Sequence, residues 1–122
     1  MCSVLSLQAQ NVGTASGYAN LDIQGKQLHQ AQLLYNEQSY GMAKEILLDI
    51  THGQCSDIQR REAEALLAVI AYKQDAATAG DAIADYLSQY PDAPDLNRMK
   101  ALMLLSGYAQ NLKLRRRVRI FQ

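Results

Sequence analysis

The sequence has 122 residues and 13.5 kDa, the size of one ordinary domain, which leaves no room for a second large independent core. Hydrophobic residues are 48% and charged residues 20%, a folded globular composition rather than a disordered, collagenous or disulfide-scaffold one. With no Trp, one Phe, two His and two Cys, the residue types that carry nucleophilic, acid–base or metal chemistry are scarce, and catalysis is not expected.

Residues 1–10, MCSVLSLQAQ, place small Ser6 and Ala9 as around a secretory cleavage position, without a basic start or a full-length apolar stretch. Two readings stand open. One is the remnant of a longer signal, which puts the protein in the periplasm or cell envelope; the other is a polar cytoplasmic N-terminus. Residues 11–20 are rich in Gly, Asn and Ser without an apolar period, so 1–20 read as a flexible leader. No run reaches the roughly 18–20 apolar residues needed to span a bilayer.

Helical spacing then takes over. A first helix is expected from Asp22 to Glu37, with Leu28, Ala31, Leu34 and Tyr35 on one face, and a second from Tyr40 to Thr51, with Ala43, Ile46, Leu47 and Ile50 inward. Gly53 suits the second helix's stop. Ser56, followed three residues later by Gln59, predicts a capping box opening a third helix that reaches Lys73. Residues 63–72 of that helix are apolar around most of the circumference, as in a helix packed on two sides. Asp75 is placed to cap a fourth helix over 76–89, after which Pro91 and Pro94 interrupt and preset the next entry. A fifth helix is expected from Asp95 to Gln110, burying Leu96, Met99, Met103, Leu104 and Tyr108. Residues 113–122 read as a basic tail or partial helix.

Neither Cys2 nor Cys55 has the spacing of a redox or zinc motif. His29 and His52 lack partners at ligand spacing, so both read as structural and no metal or cofactor is expected. The formal net charge is zero, but residues 1–112 hold seven basic and twelve acidic side chains, net −5, while the last ten hold five basic and no acidic ones. Lys113, Arg115, Arg116, Arg117 and Arg119 make up that basic end.

A period between 20 and 50 residues signals a stacked array. Ala31 to Tyr35, Ala68 to Tyr72 and Leu104 to Tyr108 share a small or apolar residue followed four later by Tyr, with the tyrosines 37 and 36 residues apart. Ala43 and Ala79, in the helices that come after the first two, are 36 apart. With Tyr40 and Ala43 opening one second helix, and Ala79, Ile83, Tyr86, Leu87 and Tyr90-Pro91 in the next, this pattern resembles the tetratricopeptide repeat across about residues 27–110. The ending over 86–94 looks like the repeats of bacterial cell-envelope proteins.

The resemblance implies an all-α fold: a right-handed superhelical array of antiparallel helix pairs, with two repeats and a third first helix over 21–112. It departs from the family where Gln27 replaces an early aromatic residue and where Arg115 or Arg116 falls at an Ala position. Leu114, Val118 and Phe121 could still form a narrow apolar stripe there. Ala31, Tyr35, Tyr40, Ala43, Ala68, Tyr72, Ala79, Tyr86, Pro91 and Tyr108 are the implied packing residues.

The function implied is a non-catalytic protein–protein interaction scaffold that takes a peptide or helix on its inner face, in bacterial envelope assembly if the signal reading holds. The candidate contacts are Gln27, Gln30, Asn36, Gln59, Glu62 and Arg98. The carboxylate pairs Asp81/Asp85 and Asp92/Asp95 read as surface charge rather than a catalytic couple. The alternative is attachment of the basic end to nucleic acid or an anionic membrane. The acidic remainder argues against a broad nucleic-acid footprint. Self-association through the C-terminal end is a further expectation.

Overall fold

The computed structural model describes residues 22–121, with side chains described through Arg117. The leader expected over 1–20 lies outside these residues, as does Cys2. Among the described residues the chain is all-α, with five α-helices, one short 3-10 turn and no strand. The helices are α1 (Ile23–Asn36), α2 (Tyr40–His52), α3 (Asp57–Gln74), α4 (Gly80–Gln89) and α5 (Leu96–Phe121); the 3-10 turn is Ala76–Thr78. Where length alone suggests one domain, the described residues divide into two compact units, with the boundary between Arg60 and Arg61. Helical hairpins contact mainly their sequence neighbours, so contacts cluster locally.

In the first unit, α1 packs against α2 across the three-residue connection 37–39. Asp22 is extended and its Oδ1 accepts from the Gly25 N–H at 2.7 Å, which satisfies one of the four orphan donors of the first turn. The same oxygen accepts from Gln59 Nε2 at 2.9 Å and so ties the start of α1 to the start of α3. At the other end of α1 the Ser39 N–H reaches the Leu34 carbonyl and the Gln38 N–H the Tyr35 carbonyl. That is the Schellman arrangement, with Gln38 at φ 66° where glycine is usual.

Ala31, Ala43, Leu47 and Ile50 are fully or almost fully buried. The rings of Tyr35 and Tyr40 stack tilted across the turn, 5.7 Å apart. Gly53 caps α2 with extended backbone, and the Arg60 guanidinium donates to the carbonyls of Thr51 and Gly53. A cation at a helix C-terminus satisfies free carbonyls and opposes the negative end of the dipole. The capping box forms as expected: Gln59 N–H to Ser56 Oγ at 3.1 Å, Ser56 N–H to Gln59 Oε1 at 3.0 Å.

In the second unit, Ala63, Leu66, Ala68, Val69 and Ile70 of α3 are buried on more than one side of the helix, as its apolar circumference predicts. The fourth helix begins differently from expectation. Asp75 Oδ1 accepts from the Ala77 N–H at 3.2 Å, but it caps the 3-10 turn, and α-helix starts only at Gly80. Both the turn and α4 pack against α5.

The fifth helix corrects the expected ending. It does not stop near Gln110 but runs unbroken to Phe121, so no separate sixth helix turns back over 111–121. Its buried face is also different. Met99 and Ser106 are the fully buried positions, Leu96 and Met103 are half-buried, and Leu104 and Tyr108 are 76% and 64% exposed. At about 100° per residue, Tyr108 lies about 180° from Met99, on the side away from α4 and the turn. The third copy of the small-then-Tyr register therefore does not pack as the first two do. Among the described residues, no later helix folds back to cover it.

Candidate binding surfaces

The polar candidates separate by what their side chains already do. Gln30 and Asn36 on α1, Glu62 on α3 and Arg98 on α5 are exposed, and Gln27 is half-buried. Gln59 is already engaged within the chain: its amide nitrogen donates to Asp22 and its amide oxygen accepts from the Ser56 N–H. Breaking these bonds would release two helix starts. The capping box visible in the sequence already carried that signal.

Of the packing candidates, Ala31, Ala43, Ala68, Ala79 and Tyr86 are buried and Tyr35, Tyr40 and Tyr72 half-buried. Tyr108 and Pro91 are exposed, so neither packs a repeat interface within its own unit. Pro91 instead comes directly after the C-cap of α4, where its ring prevents continuation.

Within the second unit a polar network joins α3, α4 and the connection between α4 and α5. The Arg61 guanidinium donates to Tyr86 Oη over 3.4 Å, Tyr86 Oη donates to Asp95 Oδ1 at 2.8 Å, and Tyr90 Oη donates to Glu64. The Tyr86 and Tyr90 rings lie 5.1 Å apart. Burial pushes the Tyr86 phenol above its ordinary range; the Arg61 bond pulls it down and the Asp95 bond raises it further. The bond to Tyr86 raises Arg61, against the lowering effect of its desolvation. A phenol held neutral by burial accepts from the cation and donates to the carboxylate, and so bridges the two. Sequence reading placed Tyr86 as packing but did not find its two partners, 25 and 9 residues away.

A shallow cleft of about 190 Å³ lies between the 3-10 turn and α5, lined by Ala77, Thr78, Gln110, Lys113, Leu114 and Arg117. It is smaller than the roughly 300–1,000 Å³ of sites that enclose small molecules. Asp81, Asp85 and Asp92 are exposed, while Asp95 is engaged by Tyr86, so the two carboxylate pairs do not converge on a pocket. Among the described residues no group of three His, Cys, Asp or Glu could hold a metal ion.

The far side of α5 is the other distinctive surface. Leu104, Leu105, Tyr108 and Leu112 are 76%, 50%, 64% and 37% exposed, and by helical register they share a sector about 100° wide opposite Met99. Lys113, Arg115, Arg116 and Arg117 come next, all exposed, and Arg119 lies beyond the described side chains, as do Val118 and Phe121. From Leu96 to Gln122 the sequence holds seven cations and no acid. No helix among the described residues is long and apolar enough to cross a membrane. Comparison with protein families, with curated proteins and with solved structures gives no match.

Proposed function

We propose that this chain is a non-catalytic interaction module of the tetratricopeptide type, whose successive helix pairs stack into a right-handed array and present polar faces to a segment of another protein. The observation that carries the reading is the equivalence of two helix pairs. Ala31 and Ala68 are buried on α1 and α3, each with a half-buried tyrosine four residues later, and Ala43 and Ala79 are buried near the start of α2 and just before α4. Small residues at these places let helices approach closely, and stacked pairs of this kind create extended binding faces.

On this reading the first helices carry the contacts: Gln27, Gln30 and Asn36 on α1, Glu62 on α3 and Arg98 on α5. Gln59, at the start of α3, completes the set while also capping that helix. Bacterial envelope assembly is the setting that the Tyr90-Pro91 ending and the signal-like start favour, and fractionation of cells expressing the full reading frame tests it.

The contact surface is tested by placing a photo-crosslinking residue at Gln30, at Glu62 and, as a control, at exposed Lys44 on α2, in cells of the source organism. The expected result is a discrete polypeptide adduct at Gln30 and Glu62 and none at Lys44. Equal adducts at all three positions, or none, would refute the assignment of the face.

A further inference from the structure

From the outward face of α5 we infer a peripheral membrane site: the helix docks on an anionic lipid surface, with Leu104, Leu105, Tyr108 and Leu112 entering the headgroup boundary and the arginine end meeting the lipid phosphates. Isolated exposed apolar residues are ordinary on any protein surface. Four large ones sharing one helical sector within nine positions form a stripe, and a stripe is an interaction surface. Packing within the unit does not use it, since the turn and α4 occupy the Met99 and Ser106 side.

Charge selects the occupant. With seven cations and no acid from Leu96 to Gln122, pairing of α5 with α5 of a second copy would juxtapose two strongly positive helices. Nucleic acid matches the charge but has no use for a leucine and tyrosine stripe. A partner helix would sit best in a groove, yet α5 offers a single convex face in its unit, with open space beside Gly107, where an added Cβ would meet nothing within 4 Å. An anionic bilayer satisfies all three features. Its boundary accepts a narrow apolar stripe lying in plane, tyrosine favours the headgroup level, and phosphates attract the basic end.

Arg115 and Arg116 come within about one turn of the stripe's end, in or beside its sector, so both contributions act at one place, whereas Arg117 falls on the Met99 side and lines the cleft beside the 3-10 turn. Each basic residue near such a surface contributes about a five-fold gain in binding, and each buried leucine about ten-fold or more.

The test is sedimentation of the full chain with vesicles, either of phosphatidylcholine alone or of phosphatidylcholine with about one-third phosphatidylglycerol. Binding to the anionic vesicles only, weakened by salt, is expected. The double variant Leu105→Ser/Tyr108→Ser should lose about a hundred-fold in binding, and Arg115→Ser/Arg116→Ser about 25-fold. Both variants should keep the wild-type helical dichroism. Tyr108→Trp adds a readout independent of sedimentation, since its emission should shift to the blue on anionic vesicles. Three results would overturn the inference: no binding to anionic vesicles; binding that the stripe variant retains in full, which would leave a general attraction of charge; or concentration-dependent light scattering of the vesicle-free protein that the stripe variant abolishes, which would make the face a contact between copies.

Discussion

The end of α1 offers a perturbation whose sign comes from backbone geometry alone. Gln38 sits at φ 66°, in the left-handed region, between the Tyr35 and Leu34 carbonyls that the Gln38 and Ser39 amides satisfy. That conformation costs a residue with a Cβ roughly 1–2 kcal/mol, and glycine is free of the cost. Glycine also loses about 0.5–1 kcal/mol more conformational entropy on folding. The Gln38 side chain is exposed, so packing contributes little to the balance. Gln38→Gly should therefore stabilise the first unit by about 0.5–1 kcal/mol, raising the midpoint by about 2–8 °C in a domain of this size. Gln38→Val should move it the other way by about 1 kcal/mol or more, because a β-branched side chain tolerates positive φ worst. Thermal melts monitored by far-UV circular dichroism measure both. If Gln38→Gly destabilises, or if Gln38→Val is neutral, the left-handed turn is not the state of this helix end.

Three other predictions concern packing, satisfaction and charge. Ala43, fully buried where α1 meets α2, should not accept leucine, and Ala43→Leu should lower stability by about 1–3 kcal/mol in denaturant titration through overpacking. Ser106 Oγ donates to the Ala76 carbonyl at 2.6 Å, so Ser106→Ala should cost about 1 kcal/mol net of its better helix propensity, whereas the same change at exposed Ser88 should be neutral or slightly stabilising in the same melt. Tyr86 has a folded-state pKa raised above that of the unfolded chain, so its stabilising contribution is complete below about pH 10 and falls as pH rises through the raised value. Comparing melting midpoints of wild type and Tyr86→Phe across that alkaline range should show a smaller decline in the variant.

The features legible in the sequence were mostly those that neighbouring residues decide together. Asp22, Ser56 and Gln59 announce helix starts because their partners lie three residues away, and Gly53 sits at the end of α2 as its position suggests. Bonds such as Arg60 to the Thr51 and Gly53 carbonyls, or Tyr86 to Asp95, leave no such periodic trace. The expected stop of the fifth helix at Gln110 has no local stop signal behind it. Residues 111–121 contain no glycine or proline and are mainly Leu, Arg and Lys, which propagate a helix well. Its inward face was misread because apolar periodicity cannot see Ser106, a buried position occupied by a polar side chain with a dedicated acceptor. Ser106, a small polar residue inside an otherwise apolar stretch, is the hint that another segment approaches closely there.

Ser106 also explains how one helix can carry two faces with opposite demands. A leucine at that position would fill the space near Gly80, where a Cβ built on the glycine already lies 3.5 Å from Ser106 Oγ, and would push the 3-10 turn away from α5. Keeping the residue small and hydrogen-bonded holds the turn close and fixes the rotation of α5 about its axis. That rotation aims Leu104, Leu105, Tyr108 and Leu112 outward together rather than leaving one or two of them at the packed face. The exposed stripe is in this sense a consequence of the buried serine. A change that loosens Ser106 should weaken α5 docking on anionic vesicles even though Ser106 itself stays far from the lipid, while raising vesicle charge should offset that loss only in part, since charge attracts the helix without restoring its rotation.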